Sequence, residues 1–306
     1  MFVIDDSIIR NNSVTGSAAG GAIYSNATTE GNAVSSTKFE SNSTFSNGGV
    51  FYWSGTGSLA VDKCLFVGNR STSQGAVIKK TNGTLYFNAS TFTSNDSQAE
   101  RTGGVLRLEG GDNYVSNCCF YGNATTKAHT DIVACKGTTT VLNSTLIESD
   151  KTMACVRVYN AAAVANLYNN VLLNPNTSSN EGTVRVGYWD NPGSVTSSGY
   201  NYTTEWKPLG EKGTVNMADT DKVVKYTDVS GNFISASTTD GRAYYTWTKP
   251  SAIAGTTAAD VIAFLKGITG GSDFATWLGT VDGLTKDIAG NNRPDTGWYP
   301  GCYQGN

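Results

Sequence analysis

The chain is short of what most reaction mechanisms require. It holds a single histidine, His129, in 306 residues. Any Ser/His/Asp or Cys/His site would have to use it, yet it lies in a turn-rich stretch with no Gly-x-Ser-x-Gly signature nearby. Charged residues make up 15% and the net charge is -3, with no basic run. The electrostatic footprint of a nucleic-acid or anionic-membrane partner is therefore missing. No apolar stretch approaches the ~20 residues of a membrane-spanning helix. The opening "MFVIDDSIIRNN" lacks the basic and long apolar regions of a signal peptide and starts inside a repeat, so Met1 reads as a fragment edge. Among six cysteines no Cys-x-x-Cys pair occurs, which argues against zinc. The stretch "DTDKVVKYTD" (219–228) has three acids but not the spacing of a calcium loop. No metal or cofactor is expected.

What is present is glycine, 35 of them, with abundant Ser, Thr and Asn, and a repeat of about 27 residues. An apolar column runs Ile9, Phe39, Phe66, Phe92, Phe120, Ile147, Leu173, Tyr200. Three residues later stands Asn12, Asn42, Asn69, Asn95, Asn123, Asp150, Asn176, then Thr203. Two residues before the apolar column is a small one: Ser7, Thr37, Cys64, Ser90, Cys118, Thr145, Val171, Ser198. Five before it run Ile4, Val34, Val61, Phe87, Val115, Leu142, Tyr168 and Val195. A second block, "GGAIYS" at 20, "GGVFYW" at 48, "GGVLRL" at 103 and "ACVRVY" at 154, shares the period. Runs this short, bounded by Gly and Asn, are strands rather than helices. One repeat cannot bury its own apolar face, so coils must stack, each column becoming a ladder along one axis. The expectation is an all-β, right-handed parallel β-helix of about eight coils over 1–203. Cys64 and Cys118 share the small inward column two coils apart, too far to bond, and are expected as buried thiols.

The Gly-Gly-Ala-Ile at 20–23 with Phe-x-x-Asn at 39, 66, 92 and 120 resembles the repeats of chlamydial polymorphic outer-membrane proteins and related bacterial β-helix surface proteins. The ending "KDIAGNNRPDTGWYPGCYQ" (286–304) is similar to the tails of secreted β-helix proteins of Bacteroides-type bacteria. The resemblance implies a secreted or cell-surface bacterial protein, an adhesin or sometimes a carbohydrate-active enzyme, and carries no catalytic residue across.

From about 204 the period vanishes. "TTAADVIAFLKG" (256–267) and "SDFATWLG" (272–279) read as helices, the first capped by Thr256 or Thr257, the second by Ser272. Residues 204–306 are expected to form a small mixed α/β cap, with β-structure at 221–247 and Trp247, Trp277 and Trp298 packing it onto the final coil.

The candidate site lies on outward positions of the second block. Aligned, Arg107, Arg157 and Arg185 share one column, whose place Tyr24 and Tyr52 take in earlier coils. Glu109 falls between Lys80 and Lys136 of neighbouring coils, within one residue of register. Tyrosines that stack on sugars and guanidinium forks that grip uronates suit a long polysaccharide. A solvated face with modest cross-strand charge pairs is the plainer reading. The expected function is a non-catalytic, monomeric glycan- or host-surface-binding protein. A polysaccharide lyase or glycosidase using Arg107 and Glu109, or a structural stalk, are the alternatives.

Overall fold

The computed structural model describes residues 1–99, 102–123, 130–148, 154–175, 184–186, 193–204, 214–229, 233–237, 243–247 and 255–304. It is the parallel β-helix that the repeat predicts. Sheet I runs from Val3–Asp5 to Thr214–Asn216 and sheet II from Ile8–Arg10 to Lys222–Val224, each with nine strands. Sheet III, from Ser13–Val14 to Asp96–Ser97, has four, and sheet IV, from Ile23–Ser25 to Val184–Val186, has seven. Within these sheets each strand pairs in parallel with its counterpart one coil away, as Val34 does with Ile4 and Val61. Counted between the seven strands of sheet IV, the solenoid makes about six turns. The difference from eight arises because sheets I and II extend beyond sheet IV among the described residues.

The interior is built by repetition. Phe39, Phe66, Phe92 and Phe120 stack at 5.1, 4.9 and 4.2 Å between ring centres, nearly parallel. Each is fully buried, worth roughly 1.5–3 kcal/mol of transfer free energy. At the following turn, each Asn amide donates to the next coil's carbonyl oxygen, from Asn12 through Asn42, Asn69 and Asn95 to Asn123, at 2.8–3.1 Å. The ladder satisfies polar groups that burial would otherwise leave unpaired. All six cysteines are buried and none forms a disulfide, Cys64 and Cys118 among them.

In the later coils the register differs from the sequence columns, by one residue at first and by three at the last coil. The positions continuing Phe120 are Leu146 and Leu172, not Ile147 and Leu173, with Thr203 rather than Tyr200 at the end. In sheet I they are Val141 and Leu167 instead of Leu142 and Tyr168. The small column continues as Ser144, Asn170 and Asn201, linked through backbone amides to side-chain oxygens. Leu142, Ile147, Tyr168 and Leu173 point outward instead, and their apolar side chains pack against the C-terminal segment.

That segment begins with the helix Ala258–Lys266, whose Thr257 and Asp260 form a reciprocal capping box. The helix Gly271–Thr280 follows, capped by Gly270 in a left-handed conformation rather than by Ser272. Both lie along the flank of the solenoid instead of across its last coil. Val261, Leu265, Phe274, Leu278 and Trp298 pack on Tyr114, Leu142 and Tyr168. Tyr86 stacks on Phe274 and Trp277 at 5.4 and 5.3 Å. The tail continues over sheet II, where Ile288, Cys302 and Tyr303 cover Cys119, Val171 and Leu173. Polar fasteners hold it: Asn117 donates to the Gly283 carbonyl at 2.9 Å, Gly301 N–H to Asn169 O at 2.8 Å, and Cys302 N–H to Thr145 Oγ1 at 3.0 Å. The strands Phe233–Ser237 and Ala243–Trp247 form a separate antiparallel hairpin; the Trp247 side chain lies outside the described residues.

Candidate functional site

The outward row of sheet IV is fixed by its pairings: Tyr24, Tyr52, Lys79, Arg107, Val133, Arg157 and Arg185 stand on successive coils. Lys79, not Lys80, therefore joins the tyrosines to the arginines. Lys80 alternates to the inside, opposite Trp53 and Leu108, and is fully buried. Its ammonium donates to the Gly110 carbonyl at 2.5 Å, and burial pulls its pKa down to about 7. Glu109 follows Leu108, whose partners are Lys80 and Ala134, so its flanking positions are Thr81 and Cys135. Lys136 lies one residue further on, exposed at a bend. Glu109 instead bridges Lys79 and Arg107, with one carboxylate oxygen 3.3 Å from each.

The arginine end of the row is closed. Arg107 is 5% exposed, donates Nη1 to Thr102 O at 2.7 Å, and lays its guanidinium 4.7 Å from the centre of the Tyr159 ring. Arg157 is fully buried, with its guanidinium 5.2 Å from the same ring. Two cations on one aromatic ring form a packed unit within the protein. The backbone of Arg185 stands in the row, and its side chain lies outside the described residues. Beside this unit, burial pushes the Cys135 thiol up to about 12 against the pull of Arg107, so it remains protonated and unreactive at neutral pH.

The tyrosine end is open. Tyr24 is 60% exposed, and its ring lies parallel to that of Tyr52, 5.4 Å away and inclined by 12°. The Gly-Gly blocks sit where successive coils stack backbone on backbone with no room for side chains. A Cβ on Gly21 would lie 2.1 Å from Gly49 O, and one on Gly49 only 2.0 Å from Ala76 O. Beside this stacked bare backbone lies an open depression of about 480 Å³. It is lined by Ser17, Ala18, Ala19, Ser46 and Asn47 beside the two tyrosines. Phe45, next to Ser46 in the chain, is 63% exposed. The periodic columns did not single it out, although an aromatic in the turn "TFSNGG" outside every inward column was the available signal.

Other candidates resolve differently. Asp221 closes a second ladder, accepting from Asn201 Nδ2 at 3.1 Å and from Ala218 N–H at 3.0 Å, so its carboxylate serves the turn. Among the described residues no group of His, Cys, Asp and Glu is placed to hold a metal ion. His129 lies outside the described residues. Asp131 is buried where the first Asn ladder ends, accepting from Asn123 at 3.0 Å, and burial raises its carboxyl to about 7. No helix among the described residues is long and apolar enough to cross a membrane. No protein-family model, curated protein or solved structure matches the chain.

Proposed function

We propose that this chain is a non-catalytic binding module, a parallel β-helix that holds a glycan on the outward face of sheet IV. One observation carries the reading: a stacked tyrosine pair, Tyr24 open to solvent, beside an uncharged depression of Ser, Ala and Asn on a parallel strand ladder. Aromatic faces and edges take the C–H surfaces of sugars, and surrounding hydroxyls and amides orient them. A bacterial surface or secreted setting, as the repeat resemblance implies, completes the proposal and makes adhesion its biological form.

A lyase reading has less support. It needs an arginine or lysine base open to substrate, whereas Arg107 is nearly buried and joined to Glu109 and Thr102. The test is affinity electrophoresis and calorimetry on a polysaccharide panel, run beside assays for reducing ends and for unsaturated uronates. Retention without turnover is the expected result. New chain ends would replace the module with an enzyme, and silence on every glycan would leave a stalk or a protein-binding adhesin.

A further inference from the structure

We infer that the glycan is neutral and is gripped by the tyrosine end alone, an inference that rests on the glycan-binding reading above. Recognition of a uronate or sulfate takes cationic N–H groups that face solvent in pairs. The central cations of this row are turned to other tasks. Lys79 donates to Gln74 Oε1 at 2.9 Å and faces Glu109 at 3.3 Å, with its side chain only 14% exposed. Arg107 holds Glu109, Thr102 and the ring of Tyr159, and Arg157 is buried behind the same ring.

The depression beside Tyr24 and Tyr52 has no charged residue in its lining, and the nearest charges of the row, Lys79 next to Tyr52 and Glu109, are paired with each other. Ser17, Ser46 and Asn47 line the depression with Ala18 and Ala19, Asn47 being held by Ser46 Oγ and the Gln74 N–H, and the tyrosine rings stand on adjacent coils. Such groups both donate and accept, as the hydroxyls of a neutral sugar do. A charged ligand would meet no ionic partner in that depression and would have to shed water without return. The parallel rings set the direction, because successive outward positions follow the solenoid axis at the ~4.8 Å strand spacing. A chain laid along that axis touches Tyr24 and Tyr52 in turn.

The experiment compares neutral polysaccharides (β-glucan, mannan, xylan) with acidic ones (pectin, alginate, heparin) at low and high salt. It uses the intact chain and the variants Tyr24→Ala, Tyr52→Ala, their double and Lys136→Ala, with circular dichroism to confirm folding. Expected is retention of a neutral polymer, indifferent to salt, weakened several-fold by each tyrosine change and roughly tenfold by both. Lys136→Ala should leave it unchanged. Retention of acidic polymers only, falling with salt, overturns the inference and leaves the glycan reading intact. Neutral binding that survives both tyrosine changes also overturns it, by placing the site elsewhere. If no glycan is retained, the underlying reading fails.

Discussion

Two outward faces of the same solenoid carry aromatic residues, and they meet different fates. On sheet I, Tyr86, Tyr114 and Tyr168 face the C-terminal helices, and Tyr114 and Tyr168 are nearly buried. On sheet IV, Tyr24 and Tyr52 occupy equivalent outward positions, and Tyr24 is open to solvent. An apolar residue on the outside of a β-helix thus marks a contact surface, but which partner completes it depends on what else surrounds it. The sheet I aromatics lie beside further apolar positions such as Leu142 and receive the chain's own tail. The sheet IV tyrosines lie beside Ser, Asn and paired charges, which no hydrophobic helix would choose to cover.

The sharpest way to break this comparison is Phe274→Ala. Phe274 is fully buried and stacks 4.6 Å from Tyr114 and 5.4 Å from Tyr86. Its loss should cost ~3–5 kcal/mol in urea unfolding, or appear as an early separate transition if the tail releases before the solenoid melts. An effect below ~1 kcal/mol would mean that the tail contributes little to holding the flank.

The same contrast explains how much could be read in advance. Stacking places chemically similar residues at similar positions, so Phe39 to Phe120 and Asn12 to Asn123 declared the fold directly. Reading slipped by one residue in the later coils because Leu142, Ile147, Tyr168 and Leu173 are outward yet apolar, which removes the alternation that distinguishes inside from outside. The flank-wise course of the tail rests on pairs far apart in the chain, such as Tyr114 with Thr269, and no local pattern announces them. At the site, Lys79 and Lys80 are neighbours of identical type, and only the pairing of Lys80 with Trp53 decides which one turns inward. The closure of the arginines depends on Thr102 and Tyr159, side-chain geometry that composition does not carry.

The inward lysine gives the next prediction. Folding lowers the Lys80 pKa from 10.5 to about 7, with the Asp112 carboxylate opposing the shift. Between those values the unfolded chain binds more protons than the folded one, so stability rises with pH across that window and is level below it. Asp131 acts with the opposite sign. Its carboxyl rises from 3.8 to about 7, so its contribution falls as pH increases through that interval. Lys80→Met should flatten the alkaline rise, and Asp131→Asn, which also removes the partner of Glu148, the acid-side fall. Melting temperatures measured from pH 4 to pH 10 in both variants would check it; curves parallel to the unaltered chain would refute the burial argument.

Asn69→Ala comes next. It removes an amide that bonds Phe39 O and Asn95 Oδ1 at 3.0 Å and an oxygen that serves Asn42. Leaving those buried partners unpaired should cost ~1–3 kcal/mol, read from the denaturation midpoint. A neutral result would show that neighbouring coils close up or admit water.

The smallest expected change completes the comparison. Tyr24→Ala removes an outward aromatic that is already 60% exposed and gives up one stacked contact with Tyr52. Stability should shift by less than ~1 kcal/mol, against several for Phe274→Ala, although both residues belong to stacks of similar geometry. The difference follows from how much water each ring has already lost. A large destabilisation from Tyr24→Ala would make the tyrosine stack part of the scaffold. A negligible one leaves its exposed surface without a structural role, which is the condition a binding surface has to meet.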